Sequence, residues 1–260
     1  MYDLRIPAQY MNQWNQLNAA VAPHYRPLQF HDQPHAMVDT MNAAFEQRAT
    51  LEARGFRMNT LVLMAGIAIH DLENWKPIDG TVFGSFEERS AAIGAPLLRG
   101  IGYSEQAVTH GAVPIVIATT PGVHCETVPE RVAVRSDLVN TAQEEKPWED
   151  VTMLSNSVKL FFEANQLRRE REDDPIGWTE FIVEKQQPLL RKYEVNLSAD
   201  IDVDRDLNDK FLRHFRPNVA FLSDDRVADP ERFFGNFGAG IAKIVPFPIR
   251  VEDFTGKAAA

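Results

Sequence analysis

The stretch that decides the fold is "RMNTLVLMAGIAIHDLENW", Arg57 to Trp75. Asn59 or Thr60 can cap a helix at its start, and an unbroken apolar run, Leu61 to Ile69, follows. A helix that is apolar on every side belongs in a core. The run is far short of the roughly 20 residues that a membrane span requires. It ends on a polar pair, His70-Asp71, and Pro77 comes soon after. An imidazole beside a carboxylate at the end of a buried helix needs partners, because an unpaired charge in a core costs several kcal/mol. The end of this helix is therefore where chemistry is expected.

Helical patterning continues on both sides. From Met37 to Ala53, the residues Val38, Met41, Ala44, Phe45 and Leu51 fall near helical spacing, and Gly55 stops the pattern. "DGTVFGS", Asp79 to Ser85, reads as a loop, and "FEERSAAIGAPLLRGIG" after it as a helix ended by Gly100 and Gly102. "PIVIATT", Pro114 to Thr120, is ambiguous. Its β-branched residues suit a buried strand, while Ser104 upstream suits a helix cap. "PERVAVRSDLVNTAQ" reads as a short helix with Pro129 at its start. Amphipathic helices are expected over about 150–171 and 177–193, separated by Asp173 to Pro175, and again through "DVDRDLNDKFLRHF". Beyond Pro217, three glycines (Gly235, Gly238 and Gly240) and "KIVPFPIRVEDF" read as an irregular or β-like extension. The expectation is an all-α helical domain over residues 1–217 with an irregular C-terminal extension, 218–260, packed on it.

The bulk numbers narrow the function. The chain has 260 residues, 44% apolar and 25% charged, which is enough for a buried core. A formal net charge of −10 disfavours long nucleic acids as partners. An acidic protein can still hold a phosphate where a metal supplies positive charge. One cysteine, Cys125, allows neither an intrachain disulfide nor a cysteine-rich zinc site. The N-terminal stretch has no basic segment followed by an apolar one, so no secretory signal or membrane partner is expected and a cytoplasmic location is the default. Oligomeric state is open.

A second stretch bears on His70-Asp71. "FHDQPHAMVD", Phe30 to Asp39, carries His31 and His35 four residues apart, the spacing of one helix face. With Asp137 in "VRSDLVN", these residues supply imidazoles and carboxylates of the kind that hard and borderline divalent cations accept.

In this order the motifs resemble the HD superfamily of metal-dependent phosphohydrolases. "FHDQPH" resembles its aromatic-His-Asn-x-x-His opening, and "AGIAIHDLENW" the apolar run into His-Asp. "FEERSAAIGAPLL" is similar to an "NE-x-x-SA" helix of a bacterial branch, "VIATTPGVH" to its "I-x-x-T-x-x-H", and "RSDLVNT" to its terminal "D-L" segment. The resemblance runs from about residue 27 to 141. Asp32 stands where asparagine is usual, Phe30 where tyrosine is common, and Ser136 where the branch often has aspartate.

The resemblance implies an HD-type helical bundle. It implies His35, His70, Asp71 and Asp137 as ligands of one divalent ion: Mn, Mg, Ni, Co, Fe or Zn. His31 matches a histidine that gives a proton to the leaving oxygen, and Glu87 a carboxylate beside the reacting water, with Glu88 as the fallback. His110 and His124 are candidates for a second metal, the part that extra histidines play in dinuclear members, with a spacing that is not diagnostic. Lys76, Arg89 and Arg99 are candidates for phosphate contacts. The implied activity is hydrolysis of a phosphate ester or anhydride in a nucleotide or other small phosphorylated metabolite. Two rival readings are a di-iron oxygenase and a non-catalytic metal- or ligand-binding regulator with the same fold.

Taken singly, each residue has an ordinary account. Glu87-Glu88 suits the acidic first turn of a helix, Asp137 a solvated face, Cys125 a packing position, and "LRRERE", Leu167 to Glu172, a face of mixed ion pairs. The four ligand candidates stand apart because all four ordinary accounts would have to hold together.

Overall fold

Asn59 does cap the decisive helix: its side-chain oxygen accepts from the Val62 N–H at 3.3 Å. The computed structural model of the chain describes residues 4–144, 146–198 and 201–255. The closing Ala258–Ala260 run lies outside them. The ten principal helices are α1 (Met11–Val21), α2 (Met41–Ala53), α3 (Thr60–Ile69), α4 (Phe86–Gly100), α5 (Val113–Ala118), α6 (Val128–Asp137), α7 (Thr152–Glu170), α8 (Gln187–Asn196), α9 (Arg205–Phe221) and α10 (Pro230–Ile241). Wider π-helical turns, His35–Thr40, Val108–Ala112 and Glu180–Gln186, lead into α2, α5 and α8. No strand occurs among the described residues, so the all-α expectation holds. None of their helices is long and apolar enough to cross a membrane.

The chain divides into two units: Met1–Val139 with Tyr193–Asn208, and Asn140–Lys192 with Asp209–Ala260. This division differs from the break expected at residue 217. In the first unit α3 is the hub. Leu63, Met64, Ala65, Ile67, Ala68 and Ile69 are all buried, packed with Leu17 and Val21 of α1, Met41 and Phe45 of α2, and Val132 of α6. Two close approaches set its position. A Cβ at Gly66 would lie 2.5 Å from Ile115 Cγ2, and one at Gly94 of α4 would lie 2.6 Å from Ile69. "PIVIATT" resolves as helix α5, with Ile115, Val116 and Ala118 buried.

The second unit is built on aromatic rings. Trp178 is fully buried, donates its indole N–H to the Val227 carbonyl at 2.6 Å, and lies edge-on to Phe161 and Phe254. Phe233 of α10 meets it at 4.4 Å between ring centroids. The supposed irregular tail is thus largely helical. Pro217 lies inside α9, where buried Leu212, Phe215 and Val219 keep the helix register through the missing N–H. In α10, buried Phe233, Phe237 and Ile241 recur every four residues and outweigh the helix-weakening glycines between them. The segment between Ile241 and Val251 is irregular, as expected.

Candidate metal centre

Three helix ends deliver the site. His35 opens the π-helical turn before α2, and Asp32 Oδ1 accepts from its backbone N–H at 3.0 Å. The aspartate that departs from the resembled motif therefore fixes the start of this turn. His70 ends α3. Its Nδ1 lies 2.8 Å from the Ile67 carbonyl oxygen, an acceptor only, so the neutral ring carries its proton there and presents Nε2. Asp71 follows. Its Oδ1 accepts from Asn74 Nδ2 at 3.3 Å, which leaves Oδ2 facing the imidazoles. Asp137 is the last residue of α6.

Their ligand atoms converge. His35 Nε2 lies 2.9 Å from Asp137 Oδ1 and 3.6 Å from Asp71 Oδ2. His70 Nε2 lies 3.0 Å from Asp71 Oδ2 and 3.5 Å from Asp137 Oδ1. One donor atom from each of the four residues falls within 4.8 Å of every other. Neighbouring ligands at about 2.1 Å from one cation stand roughly 3.0–3.4 Å apart, so these separations suit a shared ion. The fit has a second support. His70 Nε2 is buried and has no hydrogen-bond partner, although carboxylate oxygens of Asp71 and Asp137 face it at 3.0 and 3.5 Å. The last turns of α3 and α6 both end here, and helix C-termini favour cations. The residues present could hold a metal ion.

Without a cation the centre holds protons instead. Burial opposes a charge on His70, but the Asp71 carboxylate, with Asp137 behind it, outweighs burial and raises the ring well above the usual imidazole range. Burial likewise pushes Asp71 up, and His70 and then His31 more than offset it, so Asp71 sits below its usual range. Asp137 is also held low: burial opposes this, and the hydrogen bond from His35 together with the charge of the facing His70 ring overcomes it.

The remaining predicted site residues divide. His31 lies beside the cluster, its ring 6.0 Å from that of His35, with Phe30 against both. Glu87, in the first turn of α4, faces inward. Burial and the Asp71 charge push its carboxyl above the usual range, while hydrogen bonds from its own N–H, Ser85 and Thr120 act the other way. Glu88 is exposed and accepts from the Gly84 N–H at 2.6 Å. His110 and His124 are exposed and outside the cluster; His124 Nδ1 lies 3.2 Å from Ser198 Oγ.

The proposed phosphate cations are otherwise engaged. Arg89 donates to the carbonyls of Glu73, Lys76 and Pro77, wrapping the turn after the His-Asp pair onto α4. Ser90 adds a bond to the Leu72 carbonyl at 3.0 Å. Glu73 in this turn has φ +54°, a left-handed conformation that the Arg89 contact holds in place. Arg99 makes a two-pronged pair with Glu105, and Lys76 pairs with Glu73.

Other residues went unread in the sequence. Tyr193 of α8 is buried, and burial foremost, then the charges of Asp137, Glu87 and Asp71, raise its phenol well above the usual range. Nothing in the chain marked it, since it arrives from a distant helix. Thr120 stood in the quoted "VIATTPGVH" without a role. Asn196, fully buried, donates to the Ala118 and Thr120 carbonyls at 2.7 and 2.8 Å and accepts from the Gly122 N–H at 2.7 Å, pinning the turn that carries Thr120.

No family model matches this chain, and no curated protein matches its sequence.

Proposed function

We propose that the chain is a metal-dependent phosphohydrolase of the HD type. Its substrate class is a phosphate ester or anhydride of a nucleotide or another small phosphorylated metabolite. The observation that carries the reading is the meeting of His35, His70, Asp71 and Asp137 from three separate stretches of chain. Two imidazole nitrogens and two carboxylate oxygens suit Mn, Fe, Co, Ni, Zn or Mg. The chemistry such an ion supplies is the acidification of water, from a pKa of about 15.7 towards about 7, and neutralisation of phosphoryl charge.

The chain's own residues divide the remaining work. An imidazole nitrogen of His31, beside the cluster, supplies the proton that the departing oxygen needs, a contribution of roughly 10²–10⁴-fold. The Glu87 carboxyl, raised above the usual carboxylate range by burial and hydrogen-bonded by Thr120, receives or holds a proton at the water's side. Arg89 and Arg99 are committed to protein partners, so charge neutralisation falls to the ion and to His31. That favours substrates of modest charge over triphosphates.

The test is an assay with Mn, Mg, Ni and Co against an aryl phosphate, an aryl phosphodiester and a nucleotide panel. Turnover is expected in the wild type and none in His70→Ala or Asp71→Ala, with metal content falling in both variants. Metal bound without turnover on any of these substrates would overturn the enzymatic reading.

A further inference from the structure

We propose that Gln47 is a positioning residue for the metal centre, acting through the last turn of α6. The inference rests on the reading of the four-residue cluster as a metal site.

Gln47 belongs to α2, the helix that continues from His35. Both ends of its amide are used on adjacent residues of α6. Its Oε1 accepts from Arg135 Nε at 2.8 Å, and its Nε2 donates to Ser136 Oγ at 2.9 Å. Ser136 Oγ passes a bond on to the Val132 carbonyl at 2.6 Å. Arg135 continues through Nη1 to Asp204 Oδ2 at 2.7 Å and to Asn208 Oδ1 at 3.3 Å. Asp204 has no exposed surface and is gripped from its other side by Arg131 Nη2 at 3.0 Å. The amide is therefore tied at one end to a buried ionic network, not to a mobile surface.

The next residue of α6 is Asp137. Successive helix residues project about 100° apart. A group that holds two consecutive side chains fixes the rotation of that turn about its axis, and so fixes the direction in which the third side chain leaves. α6 ends at Asp137, so no further helical turn restrains it. Its Oδ1 must stay near the 2.9 Å and 3.5 Å separations from His35 and His70, and a site of this kind tolerates displacements of only about 0.5 Å. Apolar packing can keep α2 against α6, but it restrains rotation less sharply than two directed hydrogen bonds. Gln47 supplies that restraint from the helix on which His35 is mounted.

The experiment is a Co(II) titration of the full chain, with affinity read by competition against a chromophoric chelator and ligand geometry read from the visible Co(II) bands. Gln47→Ala should weaken Co(II) about tenfold, the low end of what lost supporting hydrogen bonds cost a metal site, and should change the visible bands. Gln47→Glu keeps the acceptor for Arg135 and should fall between. Ser136→Ala removes the other partner and serves if Gln47→Ala does not fold. Leu51→Val, a fully buried change on the same helix, is the control for lost stability alone. Unchanged affinity and bands in Gln47→Ala, or equal weakening in Leu51→Val, would overturn the assignment. A wild type that takes up no Co(II) would instead sink the metal reading on which it stands, a distinguishable outcome.

Discussion

Neighbouring residues of the same type have opposite fates in this chain. Glu87 turns inward beside Asp71 and Thr120, while Glu88 turns out to the Gly84 N–H. Glu87→Gln should lower kcat by roughly 10²–10⁴-fold, the range for loss of a positioned acid–base group, while Glu88→Gln should leave kcat unchanged. Equal effects in a steady-state assay would remove Glu87 from the site. Cys125 gives a second residue-level test. Its thiol is buried and pushed up to about 12, by burial first and then by the Glu130 charge. It should resist iodoacetamide at pH 8 in the native protein and react fully in denaturant, as mass spectrometry would show; rapid native alkylation contradicts the burial. At this scale the grouping of His35, His70, Asp71 and Asp137 was legible because their order along the chain matches one chemistry. Tyr193 and Asn196 were not, since nothing local distinguishes a tyrosine or asparagine that completes a distant site.

Helices were read well where one face is apolar and less well where glycine and proline intervene. α3 declared itself through its cap and its continuous apolar run. α5 did not, because a helix buried on most sides carries the same β-branched composition as a buried strand. α10 was missed because its glycines were read as breaks, when the four-residue recurrence of Phe233, Phe237 and Ile241 decides. The packing of α3 explains why two of its contacts leave no room. At Gly94 an added methyl group would press into Ile69, the residue just before His70. Gly94→Ala should therefore destabilise by about 1–3 kcal/mol in urea unfolding, despite the better helix propensity of alanine. A neutral or stabilising result would mean that α4 can move away from α3. The same variant should also weaken metal binding, because Ile69 and His70 move together.

The charge balance of this centre contributes to the stability of the whole molecule. In the metal-free protein, His70 is raised by its carboxylate neighbours against the opposing effect of burial, so its protonated form stabilises the fold. That contribution is fully present below its unfolded value of about 6.5 and is lost as pH rises through the raised folded value. Asp71 and Asp137 are lowered, although burial opposes this. Their contribution is present above about 3.9 and is lost as pH falls below it. The metal-free chain should thus gain most from these groups between about pH 4 and 6.5, and lose that support in alkali. A divalent ion requires the opposite state of His70, with Nε2 deprotonated, so binding releases protons and strengthens as pH rises. Thermal melts in Mn(II) and in EDTA should therefore separate progressively from pH 6 to 8.5. A gap that stays constant or narrows would show that the ion, if it stabilises the fold at all, does so without displacing the proton on His70.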